Sequence, residues 1–260
     1  MRVPTPRDAY APEPDAADRG IGFELVFNVR DLGGLPTVDG RRVRPGHVFR
    51  ADGVQRLAGA DLDRARALRL TTVIDLRTDG EIHRGGRFPV EHYPVAWHHL
   101  PIIDRMWSDD DLVATSGAVD FLRDRYVEML ESGAASLARI IELVAAGPPA
   151  LFHCAAGKDR TGVVAAVLLG LVGVPHEEIA ADYHATAGAM AAFVDWLTLA
   201  HPEAIDAMTS QPPEYLEAPQ EAMEGFLQHV DERYGSVLGL ARELGVPDDT
   251  VTALRTTLLD

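Results

Sequence analysis

The chain has 260 residues, 40 acidic against 24 basic, for a formal net charge of −16, and its 47% hydrophobic content is that of a folded protein with a sizeable core rather than a disordered one. The acidic balance excludes a nucleic-acid or anionic-membrane surface, because both need a basic footprint, so any phosphate must be gripped locally. A single cysteine, Cys154, excludes an internal disulfide and, with no apolar leader at the N-terminus, points to a cytoplasmic protein.

In chain order, residues 1–20 hold Pro4, Pro6, Pro12 and Pro14 among Asp, Ala and Arg and read as a flexible tail; 21–260 read as one domain. Short apolar runs beside Gly, Pro or Asp predict buried strands at Val48–Arg50, Thr72–Leu76, His98–Ile103 and Ala150–His153. Helical spacing between them marks Asp61–Leu70, Phe121–Leu130 and Leu137–Ala145. Helix alternating with strand implies an α/β fold with a central, mainly parallel sheet. From Thr161 the pattern is helical almost throughout: Gly162–Leu171, Glu177–Tyr183, Met190–Leu199, Glu221–Tyr234, Val237–Leu244 and Asp249–Leu259. Proline breaks make His201–Ala218 the irregular part of this helix-rich half. The longest apolar run, Val163 to Val174, is far shorter than the roughly 20 residues of a bilayer span.

All but one of the 24 basic residues are arginine, and the lone lysine, Lys158, sits four residues after the lone cysteine. Residues 150–163 read as a strand, a compact loop and an apolar helix. A helix start offers unpaired N–H groups and a partial positive charge, so the backbone of Ala155, Ala156, Gly157, Lys158, Asp159 and Arg160 can cradle a phosphate dianion. Small residues at Ala155, Ala156 and Gly157 leave the approach uncrowded, and Arg160 adds a planar two-pronged grip. The same field is expected to lower the Cys154 thiol pKa and favour the nucleophilic thiolate. By itself a lone cysteine is usually a small buried hydrophobe; Gly157, Lys158, Arg160, Thr161 and Gly162 suit an anion loop far better than a core.

The stretch His153-Cys154-Ala155-Ala156-Gly157-Lys158-Asp159-Arg160-Thr161-Gly162 resembles the signature loop of the cysteine-dependent protein tyrosine phosphatases, and more narrowly the atypical bacterial PtpB-type branch. The stretches Asn28 to Gly34, Val48 to Arg50, Ile74 to Arg77, Leu100-Pro101 with Asp104, Ala181 to Tyr183 and Tyr234 to Ser236 follow in that branch's order, from about Phe23 to the C-terminus. The resemblance implies a tyrosine-phosphatase-like fold and cofactor-free hydrolysis of phosphomonoesters through a phosphocysteine, of protein-tyrosine or dual-specificity type. Cys154 would attack phosphorus, Arg160 and the loop amides would hold the phosphoryl oxygens, and Thr161 would donate to the departing thiolate. His153 would shape the loop by hydrogen-bonding to backbone. Two aspartates compete as general acid, with Asp159 in the loop favoured over Asp104 on a separate segment.

Lys158 also occurs at the matching position of phosphoinositide phosphatases, whose second loop lysine is replaced here by Ala155. Phosphorylated proteins or peptides therefore rank first as partners and phosphoinositides second, ahead of a catalytically silent phosphate-binding module. A Walker loop is excluded because Phe152 stands where its first glycine belongs and Asp159 follows Lys158. His83, His92, His98, His99 and His176 lack ligand spacing, and the acidic run Asp109–Asp111 lacks the pattern of a calcium loop, so no metal is expected. Arg30, Asp31 and Arg50 would either contact the phosphate loop or anchor the sheet. Gly188–Ala218 coincides with helices that cover the active site in the PtpB type, although Met190, Phe193, Trp196 and Leu197 suit an ordinary core equally well.

Overall fold

The structure, a computed structural model, describes residues 19–104, 117–200 and 217–260. Nearly all of the expected tail, the run Asp109–Asp111 and most of the irregular stretch His201–Ala218 lie outside these residues. Within them, a five-stranded sheet has the order β1-β2-β5-β3-β4: β1 (Arg30–Asp31) runs antiparallel to β2 (Val48–Ala51), and β2, β5 (Ala150–His153), β3 (Thr72–Asp75) and β4 (Ala96–His99) are mutually parallel. Helices α1 (Ala60–Ala67) and α2 (Asp79–Gly85) connect β2 to β3 and β3 to β4; α3 (Ala118–Ser132) and α4 (Ala134–Ala146) lie between β4 and β5. After β5 come α5 (Asp159–Val172), α6 (His176–His184), α7 (Thr186–Ala200), α8 (Gln220–Tyr234), α9 (Val237–Glu243) and α10 (Asp248–Leu258).

Strand alternation sorts the core into two layers. Val48, Ile74, Ala150 and Phe152 face the larger cluster under α3, α4 and α5, whereas Phe49, Ala51, Val73 and Leu151 face a smaller one with Val54, Ala65, Leu68 and Phe88. Helix α5 is apolar on nearly every side and buried almost throughout, as a helix through the core must be. Gly173, in the left-handed conformation at φ 88°, closes it.

The sequence places the fourth strand at His98–Ile103; it starts earlier, at Ala96, and ends at His99. Leu100 still donates to Asp75 O at 2.9 Å, but Pro101 has no N–H to continue the ladder. Two elements have no counterpart in the hydrophobic pattern: β1, which holds only two residues, and α2, which buries none. Helix α2 is made instead by its cap, since Thr78 Oγ1 accepts from the Glu81 N–H while the Glu81 carboxylate accepts from the Thr78 N–H. No helix among the described residues is long and apolar enough to cross a membrane.

Candidate active site

The carboxyl ends of β2, β3 and β5 meet where a ligand binds in an open parallel sheet, and the chain from Cys154 to Arg160 lies there. Its carbonyl groups are tied back to the scaffold. Ala155 O accepts from the Gly53 N–H at 3.1 Å, Ala156 O from Asn28 Nδ2 at 3.1 Å, and Gly157 O from Asn28 Nδ2 at 2.9 Å and Arg50 Nη2 at 2.7 Å. In a trans peptide the N–H points opposite to the C=O, so these bonds turn the amides of Ala156, Gly157 and Lys158 away from the scaffold, as an anion cradle requires. Gly157 is obligatory at φ 68°: a Cβ there would stand 2.6 Å from Ala51 O.

The groups holding the loop are themselves fixed. Arg50, fully buried, donates to Asp182 Oδ2 at 2.6 Å, and Asp182 also pairs with Arg19 at 2.7 Å and Arg30 at 3.1 Å. Burial opposes charge on Asp182, but these three cations outweigh it and hold the carboxyl well below the usual carboxylate range. Burial and the neighbouring Arg30 lower Arg50 to about 10, against the pull of Asp182. Arg30 bonds the Asn28 side-chain oxygen, and Asp52 accepts from the Phe27 and Asn28 N–H groups at 2.9 Å and pairs with Arg56. Of the three residues with open roles, Arg50 touches the loop directly, Arg30 reaches it through Asn28 and Asp182, and Asp31 braces the turns at Gly33 and Gly46.

Cys154 directly follows β5 and is 2% exposed. His153 is wholly buried, its Nδ1 3.2 Å from Cys154 O and its Nε2 3.4 Å from Asp75 Oδ2. Burial disfavours the Asp75 anion, but His153 and Arg77 override it and lower its pKa. Arg160, in the first turn of α5, donates from Nη1 and Nη2 to Glu81 Oε2 and Oε1 at 2.6 and 2.9 Å. Burial would lower its pKa, yet the charges of Cys154 and Glu81 raise it. Thr161 Oγ1 is buried with no hydrogen-bond partner among the described groups.

Of the two candidate acids, Asp159 begins α5, accepts from Tyr126 Oη at 2.6 Å and lies 3.4 Å from Lys158 Nζ. Asp104 stands exposed where the first described segment ends. Tyr183 packs against Gly162, where a Cβ would sit 2.9 Å from its ring. On α7, Phe193 and Trp196 stack at 5.9 Å, and the Arg56 guanidinium sits 5.3 and 5.2 Å from their rings. This helix therefore packs beside the segment that carries Asn28; the remainder of Gly188–Ala218, apart from Glu217 and Ala218, lies outside the described residues. Sequence reasoning missed Glu81, whose signal was the Thr78-x-x-Glu81 box, and it gave Asn28, Asp75, Tyr126, Asp182 and Tyr183 no roles.

Residues 21–260 match the tyrosine phosphatase family. The chain is 30% identical to the triple specificity protein phosphatase PtpB of Mycobacterium tuberculosis, over 90% of this chain and 97% of that one. It is 33% identical to a Cupriavidus necator protein provisionally named a tyrosine-protein phosphatase, over 63% of this chain and 61% of the relative. A tyrosine-protein phosphatase of Nostoc commune is 34% identical over 49% of this chain and 44% of its own length.

Proposed function

The chain belongs to the tyrosine phosphatase family, and on that premise we propose that Cys154, Arg160 and the loop amides of Ala155 to Arg160 form the catalytic centre of its cysteine-dependent phosphomonoesterase activity, within a single domain of residues 21–260. The observation that carries the assignment is the loop geometry: carbonyls tied back to Gly53, Asn28 and Arg50, with Cys154 at one end and Arg160 at the other. The Cys154 thiolate attacks phosphorus as the ester oxygen departs. Glu81 takes the Nη1–Nη2 end of Arg160, which leaves the Nε–Nη2 edge as the pair of parallel donors that would hold two phosphoryl oxygens. These fixed dipoles and charges act on the trigonal transition state without reorganising. Asp159 protonates the leaving oxygen and then removes a proton from the attacking water, with Asp104 as the competing acid. Thr161, whose hydroxyl has no other partner among the described residues, stabilises the thiolate as it leaves phosphorus.

Phosphorylated proteins or peptides are the substrates that fit first. Phosphoinositides rank second: the buried Lys158, which would favour them, holds its ammonium 3.4 Å from Asp159 inside the site. Turnover of para-nitrophenyl phosphate with EDTA present tests the assignment. Wild type is expected to hydrolyse it and Cys154→Ser to lose more than 1,000-fold, on the order of the loss when a covalent nucleophile is removed. Equal turnover by both would refute the assignment of Cys154, and no turnover by a folded wild type would leave a phosphate-binding module.

A further inference from the structure

The carboxylate of Asp159 is held from outside the phosphate loop. Tyr126 Oη, on α3, donates to Asp159 Oδ1 at 2.6 Å and lies 2.6 Å from Tyr183 Oη, on α6. A phenol has one proton to donate. Tyr126 gives its proton to Asp159, so Tyr183 must donate to Tyr126, and the chain runs Tyr183 to Tyr126 to Asp159. Both tyrosines are buried, 0% and 1% exposed, with their rings edge to face at 5.9 Å and Phe226 edge to face on Tyr126 at 6.3 Å. Neither phenol can swing away without opening the core. Among the described residues, charges near this chain include Lys158, 3.4 Å from Asp159 Oδ1, Arg160 next to Asp159 in the same helical turn and paired with Glu81, and Arg50, which faces Tyr183 and is paired with Asp182.

We propose that Tyr126, oriented by Tyr183, is a positioning residue for the general acid: with Lys158 it converges on Oδ1 of Asp159, so that the transferable proton resides on Oδ2. This rests on the reading of Asp159 as the acid. An oxygen that already accepts a phenol hydrogen bond beside an ammonium group is the less basic of the two. As the S–P bond forms and the P–O bond breaks with its electron pair, the Oδ2 proton passes to the leaving oxygen. Asp159 is left as the carboxylate, the form that the Tyr126 bond favours. In the second half that carboxylate takes a proton from water while the water oxygen bonds phosphorus and the S–P electron pair returns to Cys154. Burial, with Asp159 and Tyr183 adjacent, pushes Tyr126 well above the ordinary phenol range, so it stays a donor at assay pH.

The test compares phenyl phosphate, whose leaving group needs the proton, with para-nitrophenyl phosphate, whose leaving group hardly does. Asp159→Asn is expected to lose about 100-fold in kcat on phenyl phosphate and far less on the nitrophenyl ester, within the range of general-acid contributions. Tyr126→Phe should lose roughly tenfold on phenyl phosphate and under about threefold on the nitrophenyl ester, with Tyr183→Phe between it and wild type. In the double variant Tyr126→Phe/Asp159→Asn the tyrosine change should add nothing. Equal losses on both substrates, or losses that add in the double variant, would make Tyr126 a merely structural residue and overturn the proposal. An Asp159→Asn variant without leaving-group dependence would refute the acid assignment itself, and the proposal with it.

Discussion

On the proposed reading the two ends of the Arg160 guanidinium have different duties, and Glu81 sets the division. Its carboxylate is fixed at Oε2 by the Thr78 N–H at 2.8 Å and the Thr78 hydroxyl at 3.0 Å, so the cap that starts α2 also aims the arginine. Glu81 fixes the Nη1–Nη2 end of Arg160, which on that reading holds the arginine ready for phosphate. Removing the partner therefore costs alignment as well as stability. Glu81→Ala is expected to lower kcat/KM on para-nitrophenyl phosphate about 100-fold and Glu81→Gln about tenfold, in line with the loss of an aligned electrostatic group. Loss of the capping-box partner accounts for about 1 kcal/mol in urea denaturation, and leaving the buried Arg160 without its carboxylate raises the cost of Glu81→Ala toward about 3–5 kcal/mol. A fall in activity that merely tracks the loss of stability would mean Glu81 serves α2 alone. The candidate loop was readable from sequence because Gly157, Lys158, Arg160, Thr161 and Gly162 fall close together and suit an anion loop better than a core. Glu81 was not, because it meets Arg160 only through the fold, and its capping box speaks of helix initiation rather than chemistry.

At the scale of elements, strands and helices of strong period were legible, and those made by other means were not. The sequence pattern finds β2, β3, β5, α1 and the helices from α3 onward; most of these bury a continuous apolar face, whereas α7 is found by its apolar spacing although Met190 is the one apolar residue it buries among those described. It misses β1, two residues long, and misplaces β4, whose end is set by Pro101. What binds the elements at the site is a polar cluster that no periodicity reveals: Asp182 on α6 reaches Arg30 on β1 and Arg50 on β2, and Arg50 reaches Gly157. Strand alternation puts Arg50 on the same face as Val48, toward α5 and α6, and so makes this reach possible. Replacing Asp182 with Asn would keep the volume but leave buried arginines short of an anion. Asp182→Asn is expected to destabilise the protein by about 3–5 kcal/mol at neutral pH, as measured for broken buried ion pairs, and to reduce turnover by loosening the Gly157 carbonyl. A stability change under about 1 kcal/mol in equilibrium urea unfolding would show that the cluster does not hold the elements together.

Over the whole molecule, the sequence's composition foretold a folded acidic chain and its alternation foretold an α/β sheet, but not how net charge and local charge separate. The surface carries the excess of acid, as exposed groups such as Asp63, Asp79 and Glu91 show, while cations are drawn inward to Asp182, Asp75 and the loop. This inward placement has a consequence for acid stability whose sign follows from linkage. Asp182 and Asp75 have folded-state pKa values lowered below the ordinary 3.8, so the unfolded chain takes up protons there before the folded one does. Their stabilisation is complete above the unfolded pKa and is lost as pH falls from about 4 toward the folded values. Asp182→Asn lacks one of these groups. The stability gap between wild type and Asp182→Asn should therefore stay constant from pH 7 to about 5 and shrink steadily below about pH 4, which urea midpoints across that range would show. A gap that persists undiminished at pH 3 would mean that Asp182 acts through shape and hydrogen bonding rather than through its charge.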